Sequence, residues 1–338
     1  MRKIRIGILS PSDIATRRFL PALPPETEFV GIAVASKKEW FGDIDDSAFN
    51  SLNEREIQKA NGIISTFGGK LFYSYSSLIS SGEIDAIYIP LPPALHYQWG
   101  KIALENGLHV LLEKPLTTSY NESKDLVDIA KRNGLLVYEN YAFEFHNQIE
   151  EIKRIIDSGV LGDLRLIRTS FGFPYRGQND FRYNKALGGG ALNDCGGYPI
   201  KLATIVLGGQ SKIVFSKLGY INNHDVDVFG FAVLENKKGE SAIASFGMDN
   251  TYKCELEVWG SKSTLYCPRV FTPPADFKSK ILITGETNKE IEINEDDYFK
   301  NSILRFISYL NGDKEDVYQQ ILLQDCLMEE VRKNNEKQ

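Results

Sequence analysis

The chain has 338 residues and an ordinary balance of apolar and charged side chains, which suits a water-soluble protein with two cores better than one. A formal net charge of −6 argues against nucleic acid or an anionic membrane as the main partner. Cys195, Cys254, Cys267 and Cys326 form no CxxC pair and have no histidine at ligand spacing, so no metal is expected; the N-terminal apolar run is broken by Arg5, no run reaches the roughly 20 residues that span a bilayer, and a cytoplasmic protein is expected.

Ile4–Leu9 reads as a buried strand, followed by turn residues and a helical pattern from Asp13 to about Leu23. Phe29–Ala35 is a second strand, and Leu52–Ile64 a helix. Ala86–Ile89 is a third strand that stops at Pro90, with Pro92-Pro93 beyond it. His96–Glu105 is helical and ends at Asn106-Gly107. His109–Leu112 is a strand that runs into Glu113-Lys114-Pro115, Ser123–Arg132 a helix closed by Asn133-Gly134, and Leu135–Tyr138 a further strand. Strand and helix alternate with short connections, which implies a doubly wound parallel sheet of the Rossmann type over 1–141.

Beyond residue 141 the pattern changes. A helix over Ile149–Asp157 and another over Tyr198–Leu207 frame the glycine run Gly188-Gly189-Gly190. Strand-like runs follow at Lys212–Tyr220, Val226–Glu235, Ser241–Met248, Glu255–Trp259 and Thr264–Cys267, with hairpin signals such as Lys238-Gly239. A helix over Lys300–Leu310 and a polar tail close the chain. Residues 142–338 are expected to form an α+β domain with an open-faced, mainly antiparallel sheet. Ser241–Met248 and Glu255–Trp259 are candidates for an exposed apolar face, so a homodimer or homotetramer is expected.

The turn after the first strand is where a dinucleotide would require GxGxxG, with glycines for the tight turn and the approach to pyrophosphate. Here it reads Ser10-Pro11-Ser12-Asp13-Ile14-Ala15. Only the third small position survives, as Ala15, so a plain strand–helix connection stays open beside the cofactor reading. The second strand ends in Ala35-Ser36-Lys37-Lys38, with no carboxylate before Glu39. Ser36 and Lys37 suit a 2′-phosphate, which favours NADP(H) over NAD. Pro90, Leu91 and His96 lie where the crevice of a doubly wound sheet opens.

Three segments are more specific: Asp85–His96, Glu113-Lys114-Pro115, and Leu187-Gly188-Gly189-Gly190-Ala191-Leu192-Asn193-Asp194-Cys195-Gly196-Gly197-Tyr198. In order and spacing they resemble the glucose–fructose oxidoreductase/inositol dehydrogenase (Gfo/Idh/MocA) family. The resemblance implies an N-terminal Rossmann domain and a C-terminal open-faced sheet. It places Glu113 and Lys114 at the nicotinamide and turns Asp194 and Tyr198 toward substrate; many relatives carry His where this chain has Tyr198. Reduction of a ketone needs hydride at carbon and a proton at oxygen. A nearby ammonium lowers the pKa of a phenol, so Lys114 with Tyr198 would form a donor pair, and Asp194 would orient Lys114 or a substrate hydroxyl.

Glu139-Asn140-Tyr141, Asp180-Phe181-Arg182-Tyr183, Gly197-Tyr198-Pro199 and the stretch from Arg269 to Pro274 are similar to the branch that reduces the C3 ketone of dTDP-linked 4-keto-6-deoxy sugars. That branch implies diphosphate contacts for Arg182 and Arg269, and packing on a base or sugar for Tyr183 or Phe181. His146, past the domain junction, is a further candidate for substrate contact. Two alternatives stay open: a dehydrogenase of a free sugar, polyol or dihydrodiol, and a cofactor-binding regulator without catalysis.

Overall fold

The computed structural model describes residues 2–177, 179–221, 224–310, 312 and 314–336. The chain divides into two compact units, one of Met1–Thr117, Asn121–Asn140 and Ser302–Ile321, the other of Thr118–Tyr120, Tyr141–Asn301 and Leu322–Gln338. Ser302–Ile321 thus belongs to the first unit, whereas the sequence reading assigned everything after 141 to the second.

In the first unit, β1 (Ile4–Leu9), β2 (Thr27–Ala33), β3 (Lys70–Phe72), β4 (Ala86–Ile89), β5 (His109–Glu113) and β6 (Val137–Asn140) make one sheet in the order β3-β2-β1-β4-β5-β6. Every pairing is parallel. A parallel sheet is covered on both faces, and β4 is accordingly buried along its whole length. The strand order reverses between β1 and β4, so their carboxyl ends flank the point where such sheets bind ligands. The connections include α1 (Asp46–Phe67), α2 (Tyr75–Ile79), α3 (His96–Glu105) and α4 (Tyr120–Arg132). Beside β6, the Tyr138 ring meets Phe306 at 5.8 Å, and Tyr318 Oη donates to the Leu135 carbonyl at 2.7 Å.

The helix expected over residues 13–23 is irregular. Ala15–Phe19 forms a wide π turn in which the Leu20 N–H reaches back to the Ala15 carbonyl, and Leu20–Ala22 is a 3-10 turn. Pro21 explains the change, since it lacks an N–H and its ring would clash with the carbonyl four residues earlier. α1 starts earlier than the apolar pattern suggests because the Asp45 side chain accepts from Ala48 N–H at 2.9 Å.

The second unit holds α5 (Asn147–Asp157), β7 (Leu164–Gly172), α6 (Gly197–Leu207), β8 (Ser211–Gly219), β9 (Phe229–Asn236), β10 (Ser241–Gly247), β11 (Lys253–Gly260), β12 (Ser263–Cys267), β13 (Ser279–Gly285) and β14 (Lys289–Ile293). These strands form an eight-stranded sheet in the order β14-β13-β12-β11-β7-β10-β9-β8. All pairs are antiparallel except β7 with β10. The period of two puts Ile167, Phe171, Ala244, Phe246, Leu256 and Val258 on the inner face, where α6 covers the sheet. The opposite face is charged on β11, which carries Glu255 and Glu257 there; Glu257 pairs with Arg168 of β7 at 3.0 Å. Large apolar side chains are half exposed at Phe215 of β8, Phe229 of β9 and Trp259 of β11, so of the two strands named from sequence it is the second that presents one.

Two further helices, α7 (Tyr298–Leu310) and α8 (Glu315–Glu336), follow the sheet. α8 corrects the expectation of a polar tail. Val317, Ile321, Gln324, Met328 and Val331 recur at helical spacing and are buried. Its Glu330 and Asn335 side chains accept from Ile213 N–H at 3.0 Å and Leu218 N–H at 2.8 Å, which satisfies backbone donors of the edge strand β8.

Candidate active site

The first unit supplies the cofactor side. At the end of β1, Ser10 has φ +74°, a left-handed conformation that normally calls for glycine. Its N–H donates to the Ala33 carbonyl, and its carbonyl accepts from Ser12 N–H, both at 2.9 Å. Ser12 Oγ then accepts from Ala15 N–H at 3.2 Å, and Ala15 is fully buried. Serine therefore holds the turn that glycine would, at an intrinsic cost of about 1–2 kcal/mol. Asp13 and Ile14 begin the helical segment directly after it.

At the end of β2, Ser36 donates to Glu39 Oε2 from N–H at 2.9 Å and from Oγ at 2.8 Å. The same carboxylate accepts from Tyr75 N–H, Ser76 N–H and Ser76 Oγ. Burial pushes the Glu39 pKa up, but the hydrogen bonds from Ser76 and Ser36 outweigh it and hold it below the ordinary value. Lys37 pairs with Asp46, and both are well exposed. An exposed pair is screened by solvent and weakly held, so Lys37 can turn to a phosphate at little cost. The left-handed Ser10 turn and the exchangeable Lys37 fit a phosphorylated dinucleotide.

Lys114 sits in a loop pinned on both sides. Before it, Glu113 Oε1 accepts from Tyr88 Oη at 2.7 Å and Asn140 Nδ2 at 2.8 Å. Asn140 Oδ1 in turn accepts from Ser302 Oγ at 2.8 Å. Burial raises the Glu113 pKa, opposed by Asn140, Tyr88 and the Lys114 ammonium. After it, Leu116 N–H donates to Glu139 Oε1 at 2.8 Å. The His96 ring lies between the Pro115 carbonyl, 2.8 Å from Nδ1, and the Leu91 carbonyl, 2.7 Å from Nε2. His96 is fully buried, and burial holds its pKa down although both carbonyls favour the imidazolium. The sequence reading made His96 a cofactor contact. The ring instead ties the segment after Pro90 to the segment after Lys114. Tyr88, Glu139, Asn140 and Ser302 escaped that reading as parts of this cradle.

The second unit carries the glycine-rich segment. Gly190 has φ +120°, and a Cβ there would lie 2.4 Å from Asp227 Oδ1. That close approach lets the Asp227 carbonyl accept from Ala191 N–H at 2.8 Å and its Oδ2 from Leu192 N–H at 2.7 Å. Burial pushes the Asp227 carboxyl up to about 6. A π turn, Leu192–Gly196, follows and carries Asp194; α6 follows that and carries Tyr198. Gly197 opens α6 because a Cβ would stand 1.9 Å from Tyr141 Oη.

The Tyr198 ring is caged by aromatic rings, with centroids at 5.4 Å for Tyr141, 5.6 Å for Phe143, 5.0 Å for Phe171 and 5.7 Å for Phe271. One turn along α6, Lys201 forms a buried ion pair with Glu144 at 3.2 Å. Burial raises the Glu144 pKa against the pull of Lys201.

Three residues expected to meet substrate are otherwise engaged. Arg182 Nε donates to Asp194 Oδ2 at 2.9 Å, and its NH1 reaches both Asp180 oxygens at 3.1 and 3.2 Å. Burial lowers the Arg182 pKa, but Asp194 and Asp180 outweigh it. With its charge spent on two carboxylates, Arg182 is an anchor for Asp194 rather than a free diphosphate ligand. Tyr183 is buried and donates to the Met248 carbonyl at 2.5 Å; the exposed ring beside it is Tyr175, 4.7 Å away. His146 is fully buried, caps α5 by accepting Gln148 N–H on Nδ1 at 3.1 Å, and leaves Nε2 without a hydrogen-bond partner among the described residues. Burial keeps its pKa low. Arg269 keeps a partly buried guanidinium 5.3 Å from the Phe277 ring.

Residues 29–141 match the model of the oxidoreductase family with an NAD-binding Rossmann fold, and residues 149–266 match that of the GFO/IDH/MocA C-terminal domain. A dTDP-3,4-didehydro-2,6-dideoxy-α-D-glucose 3-reductase from Actinomadura kijaniata is 36% identical over 96% of this chain and 94% of its own length. A D-xylose 1-dehydrogenase (NADP(+)) from Haloferax volcanii is 31% identical over 72% of this chain and 69% of its own. The crystal structure of KijD10, a 3-ketoreductase from A. kijaniata in complex with NADP and TDP-benzene, superposes with a TM-score of 0.89 at 34% identity, covering 99% of this chain and 98% of that one. The strand order, the two matched regions and the likeness along nearly the whole chain agree, and the protein belongs to the GFO/IDH/MocA oxidoreductase family.

Proposed function

We propose that this chain is an NADPH-dependent ketoreductase that reduces the C3 ketone of a dTDP-linked 4-keto-6-deoxyhexose, a step in deoxysugar biosynthesis. The observation that carries the reading is the end-to-end likeness to a sugar-nucleotide 3-ketoreductase, 36% identical over 96% of this chain. The dinucleotide, when bound, supplies the hydride. Ser10, Ser12, Asp13 and Ile14 would face its pyrophosphate, with the buried Ala15 packing the turn against the sheet behind them, and Ser36 with Lys37 its 2′-phosphate. Pro90, Leu91, Glu113 and Lys114 would wall the nicotinamide, with His96 holding two of those walls in place.

On the substrate side, Tyr198 holds the proton that goes to the ketone oxygen as the carbonyl carbon accepts hydride. Lys114 stabilises the negative charge that develops on that oxygen. Asp194, fixed by Arg182, accepts from a substrate hydroxyl. Arg269 takes the diphosphate. The aromatic cage keeps the Tyr198 ring in one orientation, which counts because misplacement by about 1 Å costs on the order of 100-fold in rate.

The test is a fluorescence titration with NADPH and NADH, repeated with dTDP and with UDP, followed by turnover. Tight NADPH binding with a further response to dTDP is expected. Lys114→Ala and Tyr198→Phe should each lower kcat by about 100-fold or more. Turnover untouched by both substitutions would sink the catalytic assignment. A second reading, oxidation of a free sugar, is favoured by the likeness to the D-xylose dehydrogenase; NADPH binding that ignores dTDP would select it.

The reading includes a homodimer or homotetramer in the cytoplasm, where reduced dinucleotide and sugar nucleotides are supplied. The exposed Phe215 and Phe229, with Phe231 5.7 Å from Phe215, make an apolar patch that a second copy would cover. A monomeric mass at micromolar concentration would refute this part.

A further inference from the structure

The Asp194–Tyr198 segment is gripped from outside its own loop by α8. Gln324, Met328 and Arg332 recur every four residues and so share one face of that helix. Gln324 is 1% exposed, and its Nε2 donates to the Gly197 carbonyl at 2.9 Å and to Tyr141 Oη at 3.5 Å. Tyr141 Oη also approaches Met328 Sδ at 4.0 Å. Arg332 NH2 donates to Asn193 Oδ1 at 2.7 Å, and Asn193 Nδ2 donates to the Gly188 carbonyl at 3.0 Å. The two polar grips fall on the residues immediately before Asp194 and Tyr198. The Gly197 carbonyl belongs to the peptide plane whose nitrogen is that of Tyr198. Holding this carbonyl therefore holds the direction in which the tyrosine leaves α6.

Folding alone does not call for an amide at this position. The Gln324 Oε1 atom is buried with no hydrogen-bond partner among the described residues, which costs stability rather than adding to it. Leu327, Met328 and Val331 of the same helix already fill the core. An apolar side chain of similar shape at 324 would remove the orphaned oxygen and still pack. What it would not do is hold the Gly197 carbonyl.

We propose that Gln324 is a positioning residue for Tyr198, acting through the Gly197 peptide, and that α8 is therefore part of the catalytic apparatus. The proposal rests on the reading of Tyr198 as proton donor. Its test uses the full chain, NADPH and dTDP-3,4-didehydro-2,6-dideoxy-α-D-glucose, with the variants Gln324→Leu, Tyr198→Phe and the two combined. Gln324→Leu should lower kcat about ten-fold, leave the NADPH dissociation constant within about two-fold, and leave the thermal midpoint equal or higher. In the Tyr198→Phe background the same substitution should change kcat by less than about two-fold, because the group it positions is gone. If Gln324→Leu does not fold, Gln324→Met carries the same comparison.

A Gln324→Leu enzyme with full kcat beside an impaired Tyr198→Phe enzyme overturns the positioning role and leaves the proton donor standing. So does an equal loss from Gln324→Leu in both backgrounds, which would mark a general structural effect. A Tyr198→Phe enzyme with full kcat overturns the proton-donor reading instead, and the proposal with it.

Discussion

Gly197→Ala separates two effects of opposite sign. Gly197 lies in the right-handed helical region, with φ −59° and ψ −33°, so alanine meets no backbone penalty there. On helix propensity alone the substitution should stabilise the protein by about 1 kcal/mol. The packing opposes this, since the new Cβ would stand 1.9 Å from Tyr141 Oη and 3.0 Å from its Cζ. Ordinary contact begins near 3.4 Å, so ring and helix must part by about 1.5 Å. Tyr141 is 1% exposed and packs edge-on against Tyr198 at 5.4 Å, which leaves it little room. Overpacking of this kind costs about 1–3 kcal/mol, and the hydrogen bond from Gln324 to the Gly197 carbonyl is strained with it. The net expectation is a loss of about 2 kcal/mol, read as a lower urea midpoint at unchanged slope. Adding Tyr141→Phe deletes the clashing oxygen and should restore most of the loss. A Gly197→Ala protein as stable as the parent, or more so, would refute the close approach and with it the account of this glycine.

Other perturbations test neighbouring parts. Lys201→Met strands the buried Glu144 carboxylate and should cost about 3–5 kcal/mol in urea unfolding, while the double variant with Glu144→Gln should recover most of it. Asp227 titrates at about 6 in the folded protein against an ordinary 3.8, so between those values the folded state holds its proton more firmly than the unfolded chain does. Stability from this group is therefore fully present below about pH 4 and falls as pH rises to about 6, by at most about 3 kcal/mol. Asp227→Asn should flatten that part of the stability curve, and a curve unchanged by the substitution would contradict the assignment. Loss of turnover in Lys114→Ala and Tyr198→Phe remains the direct test of the chemistry.

The limits of the sequence reading are physical and differ from place to place. β1 and β4 were legible to the residue as short apolar runs bounded by turn residues, and α3 as a buried stripe through Trp99, Ala103 and Leu104. β7, at the centre of its sheet, reads Leu-Arg-Leu-Ile-Arg-Thr-Ser-Phe-Gly and is not legible as a strand, since Arg165 at its exposed start, Arg168 on the open face and a buried Thr169 interrupt the apolar signal. α8 looks like a polar tail in the sequence because its buried stripe includes Gln324 and Asp325, whose polarity masks the helical period. The glycines and Lys114 stood out by type and spacing. What engages them did not, because Tyr88 and Asn140 reach Glu113, and Ser302 reaches Asn140, from distant parts of the chain. The same cause explains Arg182. Its charge is plain in the sequence, but whether it is free for a diphosphate depends on where Asp180 and Asp194 fold to, and they fold onto it. Residue type thus marks where chemistry can occur, and long-range pairing decides which group remains available for it. Tyr198 illustrates both halves of the rule. A phenol at the end of a glycine run is visible in the sequence, while its orientation is set by aromatic rings from Tyr141, Phe143, Phe171 and Phe271 and by a glutamine from the last helix.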